Sequence, residues 1–312
     1  MKKFGKLMGA FFALILSLSS AMALDFNQNI TAIYGSGNPN TGWTVGSAND
    51  ITLALRAKNR EDANTLNING VYNEPLGYQL PANTRARWNW EFSISTQAGL
   101  VLDYDYFVAI DLDPSGCVGY VTVEALTYWN DSSYGDSSTL NGQGQEGPAS
   151  SFPDATVVQQ SQNLRFVGGD PNLDATYNYV LYAVAKGAGP DSVRLAETSI
   201  VVVVGAGGTP CPDTDGDGMT DDVDECINSD LRPFVDVNGP PQGKDKGGVT
   251  TIPNIVLDNG CSIQDLVNHI AATSVDNGDY KKMLRELAKQ LEEDGILTKK
   301  QERDLLKKAR IF

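Results

Sequence analysis

The sequence predicts a mainly β protein: an N-terminal antiparallel β-sandwich, an irregular acidic loop behind it, and a short C-terminal helical bundle. Three observations carry that reading. Short runs with period-two alternation, rich in Val, Thr, Tyr and Trp, fill the chain up to about residue 205. A stretch crowded with carboxylates, Cys211 to Cys226, interrupts the pattern. After Cys261 the apolar residues recur at helical spacing.

The chain opens with Lys2, Lys3 and Lys6, then a short apolar run, then Ala21-Met22-Ala23. A basic start, an apolar stretch and small residues at the end form a secretory signal peptide over residues 1–23, cleaved near Ala23. The expected location is therefore secreted, whether extracellular, periplasmic or on the cell surface. No later run is long and apolar enough to span a bilayer; Val201 to Val204 read as a buried strand.

Residues 24–205 read as the β-sandwich. In Trp88-Asn89-Trp90-Glu91-Phe92-Ser93-Ile94 the large apolar side chains share one face. The same alternation runs from Leu102 through Tyr104, Tyr106, Val108, Ile110 and Leu112, with Phe107 and Ala109 making it two-sided. Further strands are expected near 51–57, 120–128, 164–167, 177–185 and 197–204. Many short strands separated by Gly, Pro, Asn and Asp point to two packed antiparallel sheets. The Ser-, Gly- and Gln-rich segment from Asn130 to Pro153 is expected to be a long mobile loop.

Residues 206–230 hold a Gly-rich linker and the acidic loop, and residues 231–260 read as irregular. The helical module is expected over 261–312. Ser262 with Asp265 makes a capping box, followed by a stripe of Ile263, Leu266, Val267 and Ile270. Asp276-Asn277-Gly278 breaks that helix. Tyr280, Leu284, Leu287 and Leu291 form a second stripe that ends at Gly295, a suitable C′ residue. Thr298 with Gln301 opens a third helix carrying Leu305, Leu306 and Ala309. The basic residues of these helices alternate with acids, as on a solvated face.

The net charge is −15, and loss of the three leader lysines makes it more negative. Such a surface argues against nucleic acid as a partner and suits solubility and divalent cations. Four cysteines, Cys117, Cys211, Cys226 and Cys261, allow three disulfide pairings, and the residues alone do not choose among them.

Within Cys211–Cys226 the spacing is specific. With Asp213 as position 1, Asp215 and Asp217 fall at 3 and 5, Gly218 at 6, Met219 at 7, Asp221 at 9 and Asp224 at 12. A hard cation such as Ca²⁺ takes six to eight oxygens, so carboxylates on alternate residues of a tight loop can turn inward together. Gly at position 6 allows the bend, position 7 offers a backbone carbonyl, and position 12 closes the shell, here with Asp in place of the usual Glu. The expected cofactor is therefore Ca²⁺. Helices are not expected on either side, which argues against an EF-hand sensor.

The run D-x-D-x-D-G-x-x-D-x-x-D-x-C from Asp213 to Cys226 resembles the thrombospondin type 3 repeat, here in a single copy. That resemblance implies a chain wrapped around Ca²⁺ and fastened by disulfides, and so a calcium-stiffened joint. The order of leader, β domain, one such repeat and a Gly-Cys-Ser-Ile-Gln-Asp tail, Gly260 to Asp265, resembles a group of exported bacterial proteins and implies location and architecture but no activity. In such tails further cysteines often sit in the helices, and here there are none. The resemblance therefore favours Cys226–Cys261, leaving Cys117–Cys211; Cys211–Cys226 is the rival pairing.

The function this implies is a non-enzymatic structural or adhesion protein whose Ca²⁺ fixes the joint between sandwich and helices, with an extracellular protein or a glycan as partner. Two other classes carry their own expectations. A carbohydrate-binding module needs Trp88 or Trp129 exposed for stacking. A polysaccharide hydrolase needs a cleft lined by pairs among Asp103, Asp105, Asp111 and Asp113. The single histidine, His269, reads as a structural or surface residue.

Overall fold

The computed structural model describes residues 23–62, 65–81, 84–237 and 248–309. The expected leader and the terminal Phe312 lie outside the described residues. The chain divides into two compact units, Met1–Thr209 and Pro210–Phe312.

The first unit is a sandwich of two sheets. One has the order β1 (Leu24–Gln28), β2 (Trp43–Ala48), β3 (Ile51–Asn59), β5 (Trp88–Thr96), β10 (Val157–Asn163), β8 (Ser132–Gly135), β9 (Gln145–Gly147). The other has the order β4 (Val71–Glu74), β12 (Ala196–Val204), β11 (Ala175–Ala185), β6 (Tyr104–Asp111), β7 (Tyr120–Glu124). Neighbours pair antiparallel except β4 and β12, which run parallel.

Alternation explains the packing. In register, Leu53 faces Ile94, Leu55 faces Phe92 and Ala57 faces Trp90 across β3 and β5. All of these are buried, and they meet Tyr106, Val108, Ile110, Tyr179, Leu181 and Val202 of the other sheet. The Trp90 ring stacks on Tyr179 with centroids 5.0 Å apart. Phe107, on the opposite face of β6, stacks instead on Tyr182 at 5.7 Å, which accounts for the two-sided reading of that strand.

The outer face of the larger sheet is covered as well. Ala32, Tyr34, Trp43, Val45 and Ala54 form a second apolar cluster there. Beside it Arg56 and Glu91, both fully buried, pair at 2.6 Å. The Arg56 guanidinium also donates to Tyr34 Oη at 2.6 Å and to the carbonyls of Pro39 and Thr41 at 2.7 and 2.9 Å, and lies 4.1 Å over the Trp43 ring. Ser161 Oγ donates to the second Glu91 oxygen at 2.9 Å. Burial alone would push the Glu91 carboxyl up, but Arg56 and Lys58 hold it below the usual carboxylate range.

Three expectations are corrected here. Asn130–Pro153 is built from β8, β9 and a 3-10 turn, Ala149–Ser151; Ser132, Ser133 and Tyr134 are buried, so polar composition concealed a strand. Residues 164–167 form a 3-10 turn, and the strand lies just before it as β10. The strand expected over 120–128 ends at Glu124, whose side chain accepts from the Leu126 N–H and caps the short helix α1 (Ala125–Tyr128).

The second unit holds β13 (Phe234–Asp236), β14 (Val249–Pro253), α2 (Ile263–Thr273), α3 (Asn277–Glu293) and α4 (Lys299–Lys308). The segment expected to be irregular thus contains an antiparallel strand pair, since Val235, Val237 and Ile252 are fully buried between Pro- and Gly-rich flanks. The helices pack on it through Ile263, Val267, Tyr280, Leu284, Leu291 and Leu305. Ser262 and Thr298 cap α2 and α4 in capping boxes. Asp276 caps α3, so the break between α2 and α3 falls just before Asn277. Gly295 follows α3 with φ +74°.

Candidate metal site

The acidic loop lies in the second unit and carries no helix on either side: residues 210–230 form turns and bends. The backbone folds onto its own carboxylates. Asp213 accepts from the N–H groups of Gly216 at 2.7 Å and Gly218 at 3.2 Å. Asp215 accepts from Asp217 N–H at 3.1 Å and Ser229 N–H at 2.6 Å, and Asp217 accepts from Met219 N–H at 2.7 Å. Gly218 adopts φ +100° with nothing within 4 Å of where a Cβ would sit. The conformation, not crowding, requires glycine at that bend.

These turns bring Asp213, Asp215 and Asp217 together: each offers a carboxylate oxygen, all within 4.8 Å of one another. Met219 follows, half-buried. Asp221 is turned to Thr214 and accepts from its N–H at 2.8 Å and its hydroxyl at 2.7 Å. Asp224 is buried and accepts from Cys226 N–H at 2.6 Å. Its carboxyl is raised above the usual value, first by desolvation and then by the charges of Asp217, Asp215 and Asp221, against the lowering effect of the Cys226 N–H.

The loop is anchored to the start of α2. Cys226 is disulfide-bonded to Cys261 across 35 residues of sequence; Cys117 and Cys211 are disulfide-bonded as well. Glu225 N–H donates to Asn259 O at 2.9 Å, Asn259 Nδ2 donates to the Glu225 carboxylate at 2.9 Å, and Ser229 Oγ donates to Gly260 O at 2.7 Å. A Cβ on Gly260 would lie 2.0 Å from Asp224 Oδ1. Ser229, Asn259 and Gly260 escaped sequence reasoning as site residues, because their link to the loop is made through space. The one available signal was Gly260 standing directly before Cys261.

The donor set suits a hard cation. It is all oxygen and it is crowded, and Asp217 Oδ2 is buried with no hydrogen-bond partner. A buried carboxylate oxygen without a donor is costly unless a positive charge faces it.

The other candidates fare differently. Trp88 is fully buried and Trp129 is 8 % exposed; Trp129 packs on Trp90 and Phe92 at 5.8 and 5.5 Å. The stacking platform that a carbohydrate-binding module would need from them is not formed, because both serve the core. Asp111 accepts from Asp113 and Gly119 N–H groups and from Asn178. Asp103 accepts from Leu100 N–H, and Asp105 pairs with Lys186 at 2.8 Å. These acids hold turns and strand ends. His269 is exposed on α2.

No protein-family model matches the chain, and no curated protein matches it. Among solved structures, the CooA pilin subunit from enterotoxigenic Escherichia coli aligns at 12% identity over 48% of this chain and 98% of the pilin, with a TM-score of 0.19. A likeness at that score bears on neither fold nor function. Among the described residues no helix is long and apolar enough to cross a membrane.

Proposed function

We propose that this is an exported, non-enzymatic structural or adhesion protein in which Ca²⁺, bound by the acidic loop, stiffens the stretch that follows the β-sandwich. The observation that carries the reading is the gathering of Asp213, Asp215 and Asp217 within 4.8 Å, with Asp217 Oδ2 buried and lacking a donor. In this reading Asp224, and Asp221 once it exchanges its bonds to Thr214 for the ion, would complete the acidic set, and the Met219 carbonyl would supply a neutral oxygen. The ion would offset mutual carboxylate repulsion, so its binding energy becomes folding energy for the loop. The disulfides support a location in an oxidising compartment.

Without flanking helices the loop has no lever to open, which favours a constitutive brace over a sensor. The test is a calorimetric calcium titration of the mature protein beside the Asp215→Ala/Asp224→Ala double variant. Heat of binding in the wild type that vanishes in the variant is the expected result. Absence of binding in the wild type overturns the proposal, and binding that persists in the variant moves the ion elsewhere.

A further inference from the structure

The basic residues of the first unit divide into two groups. Five of the eight Lys and Arg side chains between Leu24 and Thr209 sit on an acid: Arg56 and Lys58 on Glu91, Arg87 on Glu61, Lys186 on Asp105, and Arg194 on Glu197. Arg60, Arg85 and Arg165 have no acid partner among the described residues, although the same stretch contains nineteen Asp and Glu. In so acidic a unit, three guanidinium groups left without a carboxylate are unexpected, and all three are gathered in one place.

Two arms of chain, 77–79 and 85–87, pair through Gln79 N–H to Arg85 O at 2.8 Å and Arg87 N–H to Gly77 O at 3.2 Å. They meet the 3-10 turn Leu164–Val167 in a reciprocal clasp. Arg85 from one arm lies 5.5 Å over the Phe166 ring, and Arg165 from the turn lies 5.9 Å over the Tyr78 ring. Arg60 joins them by donating to Gln79 Oε1 at 2.9 Å and Asn89 Oδ1 at 3.2 Å. Desolvation first and then the charge of Arg85 disfavour its charged form, and the charge of Glu91, which makes no ion pair with it, opposes them in part. The Arg85 fork makes no hydrogen bond among the described residues, and Phe166 is 59% exposed beside it.

We propose that this surface of Arg60, Arg85 and Arg165 with Tyr78 and Phe166 binds an acidic polysaccharide whose pyranose rings carry carboxylates. Guanidinium groups match carboxylates bidentately, and the exposed Phe166 ring beside the half-buried Tyr78 offers an apolar surface to the flat face of a sugar ring. A carboxylate arriving here would also relieve the repulsion between Arg60 and Arg85. Aromatic faces at the side of the forks favour a chain of charged rings over an acidic peptide, which would need the forks alone. The site uses none of the buried tryptophans and none of the loop aspartates, so it stands apart from the calcium reading.

The test is affinity electrophoresis of the full mature chain through gels containing polygalacturonate, neutral dextran or polyglutamate, all with EDTA so that calcium plays no part. Polygalacturonate should retard the wild type and dextran should not. Arg85→Gln should weaken retention about tenfold, the scale of a charge-assisted hydrogen-bonded pair, and Phe166→Ala should weaken it severalfold. Both side chains are exposed, and circular dichroism checks that each variant keeps its fold. Absence of retardation, retardation unchanged in both variants, or equal retardation by dextran or polyglutamate overturns the proposal.

Discussion

The two units are held by different means. In the first, aromatic and aliphatic side chains from two sheets fill one large core, and even its buried charges, Arg56 and Glu91, are enclosed and paired. In the second, a smaller core of strand pair and helices is joined to a loop with almost no buried apolar side chain, tied down by a disulfide and by hydrogen bonds to carboxylates. The difference shows what each composition permits. Alternating strands bury enough apolar surface to fold on packing alone. An Asp-rich loop cannot, and here a disulfide and backbone N–H groups hold it; the proposed Ca²⁺ would add the counter-charge.

The sharpest way to break the comparison is to remove the charge buried in the unit that relies on packing. Glu91→Ala leaves Arg56 fully buried without its partner, and breaking such a pair costs about 3–5 kcal/mol. Hydrogen exchange should show lost protection in β3, β5 and β10, with the helices of the second unit unchanged. Equal protection in variant and wild type would show that the network contributes little.

The second unit should answer to its covalent link. Replacing Cys226 and Cys261 with serine opens a loop closed across 35 residues and should cost about 3–4 kcal/mol on the chain-entropy account. The loss should appear in α2 and α3 and leave the sandwich strands untouched. Calcium at about a hundredfold excess over its dissociation constant should add about 2.7 kcal/mol to the second unit, and Asp215→Ala/Asp224→Ala should abolish that gain. A calcium effect confined to the sandwich would reverse the assignment.

The sandwich was legible in the sequence wherever one face of a strand is uniformly large and apolar, as in Trp88 to Ile94. It was illegible where polar side chains are buried. β10 reads Val-Val-Gln-Gln-Ser-Gln-Asn, and its Gln159 is fully buried because it accepts from Ile33 N–H and donates to Thr31 O and Ser93 Oγ. β8 hid in Ser- and Gly-rich text for the same reason, whereas β9 hid because it is a short edge strand with exposed Gln145 and Glu146. The gathering of Asp213, Asp215 and Asp217 could be read because these residues are neighbours in sequence. The fit of Gly260 against Asp224 could not, and neither could Arg56 facing Glu91, which exists only once β3 and β5 are paired.

The smallest effect per step is a slope. Glu74, at the end of β4, is 6% exposed and its Oε2 has no hydrogen-bond partner. Desolvation, then the charges of Asp62 and Glu91, push its carboxyl up from 4.5 to about 8. The sign follows from linkage. The unfolded chain ionises this group near 4.5 while the folded chain keeps it protonated, so its contribution is complete below that pH and is lost as pH rises through about 8. Urea unfolding across this range should show the sandwich losing at most about 1.4 kcal/mol per pH unit at the steepest. Glu74→Gln keeps the shape without the charge and should flatten the slope, leaving the variant more stable than the wild type above pH 8. Parallel curves for the two proteins would mean that Glu74 ionises freely where it stands. The sandwich would then tolerate an unpaired buried carboxylate, and the contrast with the acidic loop would narrow to the disulfide alone.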